Sequence, residues 1–247
     1  MKSSIKRLRV FAGPNGSGKS TIIRALQSLL INNLPFDFGY YINADDIAVY
    51  LKNGEFSQKQ GNLTIESHAL FAFAQESGLL KPPFTEIELK DSIVFEDGFI
   101  KLIEEEYLDY VAQLMARYLR ESLLQNGEKF SFETVFSHPS NVEFMRKASD
   151  QGYKVYLYFV STESPEVNKQ RVKARVLKGG HNVPEDRIET RYYRSLDLLY
   201  EASKVCYQVY FFDNSKNVSQ ASLVANFKML NLPNWFSKYY LEKILEE

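Results

Sequence analysis

One cysteine, Cys206, stands in 247 residues, so no disulfide forms within the chain, and no Cys/His spacing suggests zinc. No apolar run approaches the roughly 20 residues that a membrane-spanning helix needs. The basic opening, Met1 to Arg9, leads into only one short apolar stretch, which predicts no signal peptide. Neither sign of charge dominates: 30 Lys and Arg face 31 Asp and Glu, and a net charge of −1 lacks the broad basic surface of a nucleic-acid or anionic-membrane binder. These absences predict a cytoplasmic protein with no nucleic-acid and no membrane partner. A local basic cluster can still serve a phosphorylated small molecule. No repeat or low-complexity tract is present, and 45% hydrophobic residues at this length fit one α/β domain carrying an insertion.

What the chain does have begins at residue 13. Gly13-Pro14-Asn15-Gly16-Ser17-Gly18-Lys19-Ser20-Thr21 matches G-x-x-x-x-G-K-[ST]. Leu8 to Ala12 before it is β-branched and aromatic, and reads as a buried strand. Thr21 to Leu30 after it is apolar at helical spacing. Strand, glycine loop and helix together make a phosphate cradle, in which backbone N–H groups and the positive end of the helix meet phosphate oxygens. In this pattern Lys19 reaches the β- and γ-phosphates and the Ser20 hydroxyl faces Mg²⁺. The chain is therefore expected to bind a nucleoside triphosphate.

Four later apolar runs resemble the first strand: 38–42, 130–135, 155–160 and 205–212. Helical patterns lie between and beyond them, at 44–51, 103–124, 141–151, 166–177, 185–204 and 220–230. The alternation predicts βαβ units and a central, mostly parallel sheet of five to six strands between helices. Ligands of such sheets gather beyond the carboxyl ends of the strands. Residues 53–102 interrupt the pattern and hold an expected hairpin around Glu96-Asp97-Gly98. This insertion is either a substrate-side lobe or a structural decoration. A C-terminal helix over 234–245 offers Trp235, Phe236, Tyr239, Tyr240 and Ile244 as an apolar stripe suited to core packing.

Four strand ends carry candidate chemistry. After the second strand comes Asn43-Ala44-Asp45-Asp46: Asp45 is placed to accept the proton of an attacking hydroxyl or to anchor the substrate, or serves the helix start that Asn43 caps, while Asp46 faces solvent or tunes the metal. In the third strand Glu133, next to Thr134, sits inside an apolar run, where a carboxylate needs a cation, a metal-bound water or a substrate hydroxyl. His138 beyond it reads as a solvated loop residue. After the fourth strand, Arg171 and Arg175 share a helix face, Gly179-Gly180 and His181 follow, and a second helix carries Arg187, Arg191 and Arg194. Two arginine-bearing arms about a glycine joint have the pattern of a lid over phosphates; two solvated helix faces paired with glutamates would have it too. The last strand ends in Asp213-Asn214-Ser215, near where a nucleotide base would lie, although Asp-Asn-Ser is also turn chemistry.

The ordered set of these motifs resembles the zeta-toxin family of P-loop kinases. It runs from Ala12–Thr21 through Ile42–Asp45, Phe130–Ser137, Gly152–Val155, Arg171–Val176, Gly179–Pro184 and Arg191–Leu196 to Asp213–Ser215. The resemblance implies a P-loop NTPase/kinase-like three-layer sandwich with a helical lid. It also implies transfer of the ATP γ-phosphoryl, with Mg²⁺, to a sugar or nucleotide hydroxyl; the best-known members phosphorylate the 3′-hydroxyl of UDP-N-acetylglucosamine. By similarity Asp45 is the catalytic base and a substrate contact, and Lys19 acts on the phosphates. Arg191 or Arg194 is the lid arginine, and Ser20 holds the metal. The loop residues Gly13, Asn15, Gly16, Ser17, Gly18, Lys19, Ser20 and Thr21 hold ATP, while Glu133, Thr134, Arg171, Arg175 and His181 face the acceptor. An antitoxin protein is the implied partner. The chain departs from the family at Gly179-Gly180-His181, where the known toxins place a lid arginine, and at the insertion 53–102, which lies close to the substrate side. A kinase of another nucleotide or cofactor, an ATPase, and an inactive ATP binder remain as alternatives. A GTPase-like switch does not, since Asn168-Lys169-Gln170-Arg171 lacks the Asp of a guanine motif.

Overall fold

The computed structural model describes residues 5–31, 33–180, 182–216, 222–223 and 232–246. Two compact units divide the chain, residues 1–38 with 133–247 and residues 39–132. Six strands make up the main sheet: β1 (Arg7–Ala12), β2 (Tyr40–Ile42), β3 (Phe130–Thr134), β4 (Lys154–Ser161), β5 (Gln208–Asp213) and β6 (Ser222–Leu223). Five are parallel, and with their helices they give the expected α/β fold.

In the first unit β1 pairs with β4 from Arg7↔Lys154 to Ala12↔Phe159, and β4 with β5 from Tyr156↔Gln208 to Ser161↔Asp213. β6 closes the edge antiparallel to β5. Strands buried on both faces lose simple polar alternation, and these did. Leu8, Val10, Val155, Leu157, Phe159 and Phe211 fill one face, where Phe159 meets the Trp235 ring and Phe211 meets Phe236 at 4.9 Å. On the other face Phe11, Tyr158 and Tyr210 stack across three strands at 4.9 and 4.8 Å. Strands β4 and β5 end together at Ser161 and Asp213, and β1 ends two residues earlier at Ala12, opposite Phe159, so the segments after all three leave at the carboxyl end of the sheet.

The helices of this unit are α1 (Lys19–Gln27), α6 (Ser140–Asp150), α7 (Pro165–Val176), α8 (Glu185–Asp197) and α9 (Leu199–Lys204). In the second unit β2 and β3 pair in parallel from Tyr40↔Phe130 to Ile42↔Phe132. Its helices are α2 (Ala44–Lys52), α3 (Ser67–Glu76), α4 (Glu86–Ser92) and α5 (Leu108–Gln125). Ile47 and Leu51 of α2 and Val111, Leu114 and Met115 of α5 are buried. The hairpin falls where Asp97 and Gly98 take positive φ, pairing Glu96 with Phe99. Residues 53–102 lie wholly in this unit.

Several boundaries differ from the sequence reading. Helix α1 stops at Gln27, where Ser28 turns its hydroxyl onto the Arg24 carbonyl, and Leu30–Ile31 pairs with Leu34–Pro35 instead of continuing the helix. The single helix expected over 185–204 breaks at Leu198 into α8 and α9. The last strand starts at Gln208 rather than 205, because Val205 caps α9. The C-terminal helix is three abutting turns, with a π-helical stretch over Ser237–Leu241. Of the helix expected over 220–230, only Ser222 and Leu223 are described, and they are strand; its other residues, like His181, lie outside the described residues. Among the described residues no helix is long and apolar enough to cross a membrane.

Candidate functional site

The phosphate loop is built by close approach. Gly13, Gly16 and Gly18 have φ of +144°, +79° and +99°, in the left-handed range that glycine alone adopts without strain. Each also lacks room for a side chain. A Cβ on Gly13 would lie 2.1 Å from the Val160 carbonyl oxygen, one on Gly16 2.6 Å from the Asn168 carbonyl oxygen, and one on Gly18 2.1 Å from Asn214 Nδ2. Gly18 caps α1 with no side-chain bond, which leaves the first-turn N–H groups open to an anion.

Lys19 is buried at the start of α1. Its Nζ donates to the carbonyls of Gly13 (2.8 Å) and Pro14 (3.2 Å) and lies 3.8 Å from Glu133 Oε1. The cation that the apolar run around Glu133 required is therefore the loop lysine itself. Thr134 turns away from it, donating from Oγ1 to Asn141 Oδ1 and accepting from the Phe136 N–H. Ser20 is exposed on the first turn, and Thr21 is half-buried beside it.

The arginine-bearing helices α7 and α8 pack on each other through Val172, Val183 and Ile188, and Lys169 Nζ ties them to Glu189 at 2.5 Å. The two arms thus form a packed pair in this structure. Arg191 is half-buried and reaches Asn15 Oδ1 of the phosphate loop at 3.4 Å; desolvation, then the neighbouring Arg187, lowers its pKa. Arg194, one turn on, is exposed. Arg171 and Arg175, expected to act on one face, part company: Arg171 faces inward, its pKa lowered by burial against the opposing pull of Asp213, while Arg175 is exposed.

Asp45 belongs to the other unit. Asn43 caps α2, its Oδ1 accepting from the Asp45 N–H at 2.9 Å, and Asp45 and Asp46 stand exposed in the first turn. Burial first and the Asp45 charge second raise the pKa of Asp46. His138 bonds Ser140 in an exposed loop.

Two residues were missed or undervalued in the sequence. Asn168 drew notice only for failing a guanine motif, and Asn214 looked like turn chemistry. Asn214 Nδ2 donates to the Ser17 carbonyl at 2.8 Å, and its backbone N–H donates to the Ser161 carbonyl at 2.8 Å. Asn168 accepts from the Thr162 hydroxyl at 2.6 Å. Beside them Asp213 accepts from the Trp235 indole N–H at 3.0 Å.

Residues 104–219 match the family model described as Zeta toxin. A curated relative from Haemophilus influenzae, described only as an uncharacterized protein, is 36% identical over 63 residues; the match covers 26% of this chain and 45% of that protein, under half its length. Among solved structures, a chain of the PezAT chromosomal toxin-antitoxin system of Streptococcus pneumoniae is 16% identical, with a TM-score of 0.53, over 100% of this chain and 85% of that one. A chain of the AvrRxo1-ORF1:-ORF2 complex with ATP is 12% identical, with a TM-score of 0.50, over 89% of this chain and 57% of that one. At these identities the likeness is one of fold.

Proposed function

We propose that this chain, whose residues 104–219 match the zeta-toxin family model, is a member of that family and an ATP- and Mg²⁺-dependent kinase whose acceptor is a hydroxyl of a sugar or nucleotide. UDP-N-acetylglucosamine or a related UDP-sugar is the first acceptor to test. The observation that carries the reading is the Lys19 ammonium, held in the phosphate loop between two loop carbonyls and Glu133.

The residues fit ATP and Mg²⁺. Three glycines leave a cradle that side chains would fill, and α1 presents uncapped N–H groups to it. Among the described residues no cluster of three His, Cys, Asp or Glu could hold a metal alone. Mg²⁺ at phosphoryl-transfer sites is held largely by substrate phosphates and water with few protein ligands, and the Ser20 hydroxyl would be one of those ligands. ATP bound with Mg²⁺ supplies the γ-phosphoryl.

The chain's own groups do the rest. The loop N–H groups orient the phosphate chain, and Lys19 exchanges its carbonyl partners for phosphate oxygens. Arg191, already at the loop through Asn15, adds a second cation where charge develops on the transferred group. Asp45 accepts the proton of the acceptor hydroxyl as general base. Glu133 bonds an acceptor hydroxyl while holding Lys19, and Thr134, Arg171, Arg175 and His181 are the further acceptor contacts of this proposal. ATP as donor sets the work in the cytoplasm. By analogy with the toxin-antitoxin system of the pneumococcal chain, a protein inhibitor is the proposed partner.

The test is a phosphoryl-transfer screen with ATP and Mg²⁺ against UDP-sugars, nucleotides and cofactors, with Asp45→Asn alongside. Asp45-dependent transfer to a UDP-sugar is expected. Transfer to another acceptor would keep the kinase and replace the acceptor, whereas acceptor-free ADP release unaffected by Asp45→Asn would overturn the assignment.

A further inference from the structure

The three loop glycines rest on three segments far away in sequence: the end of β4, helix α7, and the residue after β5. Two of these contacts come from asparagines with almost no exposure, Asn168 at 0% and Asn214 at 7%. Asn214 fills the space a Gly18 side chain would occupy, and its Nδ2 holds the Ser17 carbonyl. A trans peptide points its C=O and N–H in opposite directions. Fixing the Ser17 carbonyl toward Asn214 therefore fixes the Gly18 N–H away from it. Glycine at 18 would otherwise let this peptide turn over at little cost. On the other flank, the backbone of Asn168 abuts Gly16, while its side chain is anchored by Thr162. Asn214 Oδ1, Asn168 Nδ2 and Ser17 Oγ are buried and bond nothing among the described residues. Buried polar atoms in that condition are costly, and a role in bulk stability alone does not account for three of them around one turn.

We infer that Asn214, opposed by Asn168, is a positioning residue that sets the orientation of the Ser17–Gly18 peptide, and that the ligand whose binding it governs is the polyphosphate chain of a nucleotide rather than its base. The inference rests on the nucleotide-binding part of the proposed function and is independent of the acceptor.

The test compares full-length wild type and Asn214→Ala for binding of ATP and of inorganic tripolyphosphate. Binding is read by calorimetry and by the fluorescence of Trp235, the one tryptophan, whose indole bonds the neighbouring Asp213. Thermal melting checks the fold. Expected is a roughly tenfold loss for both ligands, equal within error, at little change in Tm. Loss for ATP with tripolyphosphate unaffected would assign Asn214 to the base and overturn the inference, as would unchanged binding of both. If Asn214→Ala fails to fold, Asn214→Ser, which keeps a short polar side chain, decides by the same comparison. Wild type that binds neither ligand would overturn the nucleotide reading itself.

Discussion

Lys19 Nζ and Glu133 Oε1 lie 3.8 Å apart with side chains only 8% and 16% exposed, so the phosphate loop's cation and the carboxylate ending β3 are one shielded unit. A shielded charge that loses its partner is costly. Glu133→Gln keeps the shape and removes the charge. Steady-state kinetics should show kcat lowered about 10- to 100-fold, and melting should show a loss of about 1–3 kcal/mol. Unchanged kcat would reduce Glu133 to a bystander.

Arg191 and Arg194 share α8 but not their surroundings, one half-buried against Asn15 and the other exposed. Arg191→Ala should lower kcat/KM by about 10²- to 10³-fold, while Arg194→Ala should stay within about threefold of wild type. Equal losses in the two variants would show that the contact with Asn15 does not select the working arginine.

Asp46 provides a pH signature. Its pKa is raised, so the folded state holds the proton more tightly than the unfolded one, and stability falls as pH rises through the window above the ordinary carboxylate value. Asp46→Asn should therefore melt slightly higher than wild type at neutral pH and show no such advantage in acid. Paired melting curves at both pH values check this, and a wild type that melts higher at neutral pH contradicts it.

Burial pushes the Cys206 thiol up to about 12, and Sγ donates to the Ala202 carbonyl. With so little thiolate, the native protein should react with a disulfide reagent at pH 8 at least tenfold more slowly than the chain in guanidinium, where one thiol titrates fully. Rapid native labelling would contradict the burial.

The phosphate loop was legible because its motif is local: glycine spacing, a strand before and a helix start after lie within one short window. The alternation of strands and helices was legible for the same reason. Boundaries failed where a local cap outweighed periodicity, as at Ser28 and Leu198. Asn168 and Asn214 were illegible as partners of the loop because their role depends on strand register, which puts the ends of β4 and β5 beside residue 13. Arg171 and Arg175 share helical spacing, but whether a residue faces the sheet edge or solvent depends on where α7 is docked, and spacing does not encode that. Glu133 was legible as needing a cation but not as needing that one.

The contacts of the three loop glycines also set a timetable. Val160, Asn168 and Asn214 leave the ribosome long after Gly13, and β1 has no β4 to pair with until residue 154 is made. On its own in a nascent or truncated chain, the nine-residue motif thus lacks the contacts that shape it in the folded protein. A fragment ending before Asn214 carries every signature of a phosphate binder and lacks the scaffold that shapes one. The loop can take the shape seen in the folded chain only after residue 214 has been made.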